Sequence, residues 1–272
     1  MKNLLLRIWL AMIRDPRRRK AFRRRHIWNL HPGLAVENAV ARAVSTCNMH
    51  RDSFLRFKNC NAGRDVVVVA SGPSLARYVP IPGAVHIGVN TAIRFGKVQM
   101  DYVFIQDAHG RRELVQEIGR YNPSSGCVKF YGIMDERKSN DYTVTESDAA
   151  AAGAFRYRVD LSFAQRLEYD ITSFPLATFG TVAIPAVEFA LWTNPRRLYL
   201  VGCDCSSGYF YDGKADDPRL AIRHDEMVAG YRALKRFAGK WYPDTEIISI
   251  NPVGLKGLFR DEFQGIQMEE SR

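Results

Sequence analysis

The 272-residue sequence has few cysteines, and none of them falls into a recognisable metal or disulfide pattern. The five cysteines are an odd number with irregular spacing, and Cys203 and Cys205 are separated by a single residue. That spacing fits neither the zinc-binding nor the thioredoxin pattern, both of which place two residues between the cysteines. We therefore interpret the cysteines as reduced thiols, and Cys203 and Cys205 as small buried residues.

A long hydrophobic run and a secretory signal are also missing. The apolar stretch at residues 4–13 is only ten residues long, which is too short to span a bilayer. A secretory signal carries its positive charge before the apolar stretch and a small-residue cleavage site after it, whereas here a run of arginines follows. We expect the segment to be retained in a cytoplasmic protein.

Acidic residues are scarce at the N-terminus. Residues 1–28 contain ten Lys and Arg against one Asp, a net charge of +9, so that the other 244 residues contribute only +1 of the total of +10. A nucleic-acid-binding domain would carry its positive charge along a face of the fold itself. The nearly neutral remainder therefore does not favour a nucleic acid as partner.

The basic N-terminal segment, residues 1–28, combines leucines and Trp9 with clustered arginines. An amphipathic helix of this kind suits the boundary between acyl chains and anionic headgroups. We expect peripheral attachment to the inner face of the cell membrane, and the alternatives are a solvated basic tail or an RNA-binding arm. Residues 29–63 are expected to form a helical connector to the main domain.

The common nucleotide-binding fingerprints, G-x-G-x-x-G and G-x-x-x-x-G-K, are absent after the first predicted strand. That strand, residues 65–70, is a continuous run of β-branched residues typical of a buried parallel strand, and Ser71-Gly72-Pro73-Ser74 follows it. In a turn from strand to helix these residue types predict a small anion site at a helix N-terminus, with phosphate as its ligand. A capped turn without a ligand is the alternative.

Further short apolar runs alternate with helical patterns. Strands are predicted at residues 84–90, 102–106, 127–131, 198–201 and 246–250, with helices at 111–120, 181–192 and 223–241. This order predicts an α/β, Rossmann-like, open and mainly parallel sheet with helices on both faces, occupying residues 64–260. Residues 133–175 fit the pattern poorly and are expected to be an insertion for acceptor binding, and residues 261–272 a tail.

Polar residues follow several of the predicted strands. In parallel sheets ligands bind beyond the carboxyl ends of the strands, so these residues are candidates for a nucleotide site. Asn90 can donate to and accept from a base or a sugar, Asp107 can hold a ribose, hold a metal or cap a helix, and Asp204 can be a structural carboxylate. The candidates are Ser71, Asn90, Gln106, Asp107, Gly202 and Asp204.

A loop rich in Gly, Ser, Asp and Tyr spans residues 206–222 and includes Tyr209 and Tyr211. We interpret it as a lid over a nucleotide. His224 follows at the predicted start of a helix. It is a candidate general base, because imidazole takes up protons near neutral pH, and a helix cap is the alternative.

The order of motifs resembles a known superfamily. S-G-P-S-L after the first strand is followed by G-V-N-T-A, D-Y-V-F-I-Q-D, T-F-G-T and L-Y-L-V-G-C-D, with H-D-E-M downstream. This series resembles the bacterial CMP-sialic acid-dependent sialyltransferases that modify lipooligosaccharide. It also resembles the archaeal 6-hydroxymethylpterin diphosphokinases and the flagellin-modifying motility accessory factors, over roughly residues 64–260.

The resemblance implies roles for individual residues. His224 matches the catalytic histidine, Asn90 the asparagine after the second strand, and Tyr209 or Tyr211 a tyrosine that holds the departing phosphate. Ser71, Phe179 and Ser206 stand where the sialyltransferases have other residues. The family's T-S-G turn corresponds to Thr178, Phe179 and Gly180, with the hydroxyl of Thr181 nearby.

Three functions are therefore considered. The first is inverting, metal-independent transfer of a sugar, such as a nonulosonate, from a CMP-sugar or another nucleotide donor to a lipopolysaccharide or other surface-glycan acceptor. In that reaction the turn amides of Gly72 and Ser74 would stabilise the leaving phosphate. The second is ATP-dependent diphosphoryl transfer, in which Asp107 would help to organise a magnesium-bound nucleotide. The third is nucleotide binding without catalysis.

Overall fold

The computed structural model describes residues 2–15, 18–19, 22, 48–106, 112–134, 144–160, 165–206, 208–211 and 218–265. Within these residues nine strands form one sheet, and every neighbouring pair is parallel. The strands are β1 (Asp65–Val69), β2 (Val85–Val89), β3 (Tyr102–Ile105), β4 (Val128–Ile133), β5 (Phe155–Asp160), β6 (Leu176–Ala177), β7 (Arg197–Val201), β8 (Glu246–Ile250) and β9 (Arg260–Glu262). The helices are α1 (Lys2–Met12), α2 (Asn48–Phe54), α3 (Arg112–Arg120), α4 (Glu146–Ala151), α5 (Ala183–Trp192) and α6 (Pro218–Trp241).

The strand order, β6-β5-β4-β3-β2-β1-β7-β8-β9, places the point where the chain reverses direction beside β1. From β1 the chain adds strands outward on one side as far as β6, and then returns to add β7, β8 and β9 on the other. The connections that follow β1 and β7 therefore lead to opposite sides of the sheet, and open parallel sheets have a crevice at the carboxyl edge of such a switch point. The predicted Rossmann-like, open parallel sheet is confirmed.

The sheet is buried on both faces, as the apolar run in β1 predicts. Val66 and Val68 belong to one apolar cluster, and Val67 and Val69 to the other. Helix α5, in which every residue is buried, packs in the first cluster, while α3 contributes to the second. Because successive side chains of a strand alternate between faces, a run of four valines is what a strand between two helical layers requires.

The prediction that residues 133–175 form an insertion is wrong for residues 155–160. Strand β5 lies inside this range and pairs with both β4 and β6, so it is part of the sheet. In its sequence, F-R-Y-R-V-D, residues 156–159 alternate between exposed and buried. That period of two is the signal that could have identified it. Residues 135–143 and 161–164 lie outside the described residues.

The main fold also extends beyond the predicted limits of residues 64 and 260. His50, in the predicted connector, is fully buried, and its Nδ1–H donates to the carbonyl of Ile171 (2.9 Å) while its Nε2 accepts from the amide of Arg158 (2.6 Å). Burial lowers the pKa of His50 to about 4, so its ring is neutral. At the other end, β9 continues to Glu262. No helix among the described residues is long and apolar enough to cross a membrane.

Candidate functional site

A cleft of about 160 Å³ lies at the carboxyl edge of the sheet, beside the switch point between β1 and β7. Its wall is built by residues that follow four strands, together with the start of α5 and one face of α6. The lining residues are Ala70, Ser71, Gly72, Val89, Asn90, Gln106, Gly180, Thr181, Val182, Ala183, Gly202, Cys203, Asp204, Cys205, Ser206, Gly208, Tyr209, His224, Met227 and Tyr231.

The turn after β1 uses its amides inside the protein. The amide of Gly72 donates to the carbonyl of Gly202 (2.9 Å), and the amide of Ser74 donates to Oδ2 of Asp204 (2.7 Å). The hydroxyl of Ser74 donates to the other carboxylate oxygen of Asp204. These two amides are therefore not available to a phosphate, which corrects the expectation that they would stabilise one. The segment Pro73–Arg77 is also a short 3-10 helix and not the start of an α-helix.

Glycine is required at both contact points of this turn. A Cβ on Gly72 would lie 2.5 Å from the carbonyl oxygen of Gly202 and 2.6 Å from Oδ2 of Asp204. Gly202 has a φ of +64°, and a Cβ there would lie 2.2 Å from the carbonyl oxygen of Ala70. The glycines thus let the loops after β1 and β7 pack backbone against backbone.

Asp204 is buried with 3% exposure. Desolvation raises its pKa, and the two hydrogen bonds from Ser74 oppose that rise because they stabilise the carboxylate. The sequence left open whether Asp204 was structural or bound a ligand. Its contacts make it the residue that pins the turn after β1 to the loop after β7, at the base of the cleft.

Ser71 is also held by neighbouring residues. Its hydroxyl donates to the carbonyl of Val89 (3.3 Å) and accepts from the hydroxyl of Thr91 (2.9 Å). These bonds connect the ends of β1 and β2 and fix the floor of the cleft. Ser71 lines the cleft, whereas the exposed Pro73 and the buried Ser74 are not part of its lining.

Four polar side chains that line the cleft have an atom without a hydrogen-bond partner among the described residues. The atoms are Oδ1 of Asn90, Oε1 of Gln106, Nε2 of His224 and Oη of Tyr231, and all four are shielded from solvent. Asn90 adopts a left-handed conformation, with φ at +49°, directly after β2. Unsatisfied buried polar atoms are costly, so four among the residues that line one cleft indicate a polar ligand.

His224 lies one turn further into its helix than the sequence predicted. Helix α6 begins at Pro218 and not at residue 223, which places His224 in the second turn. Pro218 at the first position suits a helix start, since its missing N–H is one that no helical carbonyl would accept. The alternative that His224 caps the helix is therefore excluded, and the last five residues of the predicted lid are helical.

Another part of the cleft wall is formed by Gly180, Thr181 and the start of α5, which follow directly on the turn Thr178-Phe179-Gly180. Gln165 braces this turn: its Oε1 accepts from the amides of Thr178 (3.1 Å) and Phe179. Phe179 has a φ of +45°, a conformation that a bulky side chain rarely adopts without such support. Gly180 and Thr181 line the cleft, whereas the buried Thr178 does not. The sequence carried no signal for the role of Gln165.

The two tyrosines predicted to hold phosphate are placed differently. Tyr209 lines the cleft, whereas Tyr211 is not part of the lining and is 37% exposed. Their rings stack on each other, with centroids 5.3 Å apart and planes inclined by 15°. Residues 207 and 212–217 of the predicted lid, and Asp107, lie outside the described residues.

Residues that the sequence analysis did not assign to the site also line it. Cys203 is buried, as expected of a packed thiol, and desolvation raises its pKa to about 12. The pKa of Cys205 is raised for the same reason. Both thiols are therefore protonated at neutral pH and are poor nucleophiles. Within the described part of the chain, no group of three or more His, Cys, Asp or Glu side chains is arranged to hold a metal ion.

No protein-family model and no curated protein matches this sequence. Among solved structures, a MAf glycosyltransferase from Magnetospirillum magneticum AMB-1 is similar, with 18% identity and a TM-score of 0.45, over 79% of this chain and 35% of that chain. This chain thus spans about a third of that protein's length. The sialyltransferase CstII from Campylobacter jejuni, in complex with the substrate analogue CMP-3FNeuAc, shares 13% identity over 73% of this chain and 85% of its own, with a TM-score of 0.43. A thiamine pyrophosphokinase from Bacillus subtilis shares 15% identity over 68% of this chain and 59% of its own, with a TM-score of 0.30.

Proposed function

We propose that this chain is a glycosyltransferase that moves a sugar from a nucleotide donor, such as a CMP-sugar, to a lipopolysaccharide or other surface-glycan acceptor. The observation that carries the proposal is the cleft in which Nε2 of His224 shares a wall with the unpartnered oxygens of Asn90 and Gln106. The cleft lies where ligands bind in open parallel sheets. Its polar atoms suit hydroxyl and amino groups, which sugars and nucleobases both carry.

In the proposed reaction His224 acts as general base. Its Nε2 accepts the proton of an acceptor hydroxyl, the hydroxyl oxygen forms a bond to the anomeric carbon, and the bond from that carbon to the donor phosphate breaks with inversion. The electron pair leaves with the phosphate. In this proposal Asn90 and Gln106 accept hydrogen bonds from the donor, and the hydroxyl of Tyr209 donates to the leaving group. The proposed reaction requires no metal ion or other cofactor.

Thermal-shift measurements with a panel of nucleotides test this proposal. We expect CMP to raise the melting temperature without magnesium, because ligands that bind only the folded state stabilise it. CDP, UDP, GDP and ATP, each with and without magnesium, complete the panel. Stabilisation by ATP only in the presence of magnesium would favour diphosphoryl transfer instead. Stabilisation by no nucleotide would refute the assignment of a nucleotide site.

We also propose that α1 attaches the protein to the inner face of a membrane with anionic lipids. Four apolar side chains share one face of this helix at spacings of three and four residues, and all are exposed: Leu5 (57%), Ile8 (47%), Trp9 (61%) and Met12 (69%). The positive charge concentrated in residues 1–28 complements anionic headgroups. Such attachment would bring the cleft to a lipid-linked acceptor.

Vesicle sedimentation tests the attachment. We expect the full chain to bind phosphatidylglycerol vesicles, and Trp9→Ser to weaken that binding by about tenfold, because burying one large apolar side chain contributes about 1.5–3 kcal/mol. Leu55→Ser is the matched control, since Leu55 is also exposed (45%) but lies in the main fold. Equal losses in both variants, or equal binding to neutral phosphatidylcholine vesicles, would contradict the proposal.

A further inference from the structure

A line of side-chain contacts runs from the surface helix α3 to the cleft. It begins at Glu117 in α3, whose carboxylate accepts from Nε of Arg94 (2.9 and 3.1 Å) and from Nη2 (2.6 Å). Arg94 closes the 3-10 turn Asn90–Arg94, which starts at a cleft residue. Hydrogen bonds to both carboxylate oxygens fix the plane of the guanidinium group, because a fork of donors matches a fork of acceptors.

The line continues through two stacked tyrosines. The guanidinium carbon of Arg94 lies 5.5 Å from the centre of the Tyr211 ring, within the range of a cation–π contact. The pKa of Arg94 is raised, first by the hydrogen bonds that it donates to Glu117 and further by Tyr211. Tyr211 stacks on Tyr209, and Tyr209 is the member that lines the cleft.

The residue between the tyrosines is anchored as well. The ring of Phe210 packs edge-on against Phe95, with centroids 5.8 Å apart, and its amide donates to the carbonyl of Ser71 (3.0 Å). The backbone is thus fixed beside the turn after β1. The rings of Tyr209 and Tyr211, however, lie on a partly exposed segment. Ordering such side chains when a ligand binds costs conformational entropy.

We propose that Arg94 and Glu117 are positioning residues that hold Tyr209 in place for the nucleotide donor through Tyr211. The inference rests on the proposed function, because Tyr209 is assigned there to the donor. Neither Arg94 nor Glu117 lines the cleft, so their effect on the donor passes through the tyrosines. Their ion pair is partly exposed, with 36% of each side chain accessible, and pairs of this kind contribute little to stability. We call the residues Glu117, Arg94, Tyr211 and Tyr209 the clamp. Breaking the clamp should therefore weaken the binding of the donor without changing the free energy of unfolding.

The test compares Arg94→Met with Lys97→Met. Lys97 is the matched control, since its ammonium lies 5.5 Å from the Phe95 ring on the same loop. We expect Arg94→Met to raise the Kd for CMP and the KM for the donor about two- to fivefold, with a smaller change in kcat and a melting temperature within about 2 °C of the wild type. Arg94→Lys should restore part of the affinity, and in a double-mutant cycle with Tyr211→Leu the two losses should not add.

Hydrogen exchange separates this proposal from the proposed function, because it needs no ligand. We expect the amides of residues 208–211 to exchange faster in Arg94→Met than in the wild type, and Lys97→Met to leave them unchanged. Unchanged exchange in Arg94→Met would overturn the clamp whether or not nucleotide binds. A different result is possible: Arg94→Met exchanges faster, but no nucleotide binds to the wild type. The contacts of the clamp would then be real, but the proposed function and the positioning of Tyr209 for a donor would both be overturned.

Discussion

We expect the substitution His224→Asn to lower kcat for sugar transfer by about two to four orders of magnitude, the usual contribution of a general base. Asparagine preserves a hydrogen-bonding side chain in the cleft but cannot take up a proton. Nε2 of His224 has no hydrogen-bond partner among the described residues, so the substitution removes no internal hydrogen bond at this atom. The affinity for the nucleotide should therefore change by less than about threefold.

Steady-state kinetics would measure the loss in kcat, and calorimetric titration would measure the affinity for the nucleotide. Asp225→Asn is the matched control, because Asp225 is the exposed neighbour in the same turn of α6 and is not part of the cleft lining. We expect that variant to retain the wild-type kcat. If His224→Asn retains kcat as well, His224 is not the base. If the wild type shows no catalysis and His224→Asn only lowers the affinity for the nucleotide, the result would support a binding protein without enzymatic activity.

The second large effect concerns the fold of the cleft. We expect Asp204→Ala to lower the free energy of unfolding by about 2–6 kcal/mol, because the buried amide and hydroxyl of Ser74 would each lose their acceptor. For a chain of this size the melting temperature should fall by roughly 5–15 °C. Asp204→Asn, which keeps one acceptor oxygen, should have an intermediate effect.

Asp65→Ala is the control for that effect. Asp65 also has two partners, since it pairs with Arg196 (3.1 Å) and Arg197 (3.7 Å), but the side chains of these arginines are 57% and 39% exposed. Exposed pairs contribute at most about 1 kcal/mol, so this substitution should shift the melting temperature by only a few degrees. If thermal denaturation gives equal shifts for Asp65→Ala and Asp204→Ala, Asp204 does not pin the turn.

Much of the sheet could be predicted because its strands carry strong local signals. The four valines of β1 read as a strand buried on both faces, and the structure places them there. Strand β5 was missed because its alternating sequence carries two arginines, and β6 because two residues show no period at all. The start of α6 was misplaced by five residues, since the loop composition before it concealed the proline at which the helix begins.

Part of the cleft could also be predicted from the sequence. Asn90 and Gln106 were found because polar residues at the ends of adjacent parallel strands must meet at one edge of the sheet. Local sequence patterns do not show that His224 reaches the same cleft, because 118 residues separate it from Gln106; the family resemblance implied that placement, and the structure shows His224 among the lining residues. Gln165 could not be found, because glutamine in a loop has no pattern that distinguishes a brace from a solvated side chain.

The sequence by itself determined the alternation of strands and helices, the edge at which a ligand would bind and the concentration of positive charge in residues 1–28. Those features depend on local composition and on side-chain periodicity. Only the tertiary structure decided which polar groups are available to a ligand. Ser74 and Asp204 are 130 residues apart, and their contact removes an amide that the local turn chemistry had assigned to phosphate. Local sequence specifies which groups can form hydrogen bonds, whereas the packing of distant loops determines which of these groups are already paired.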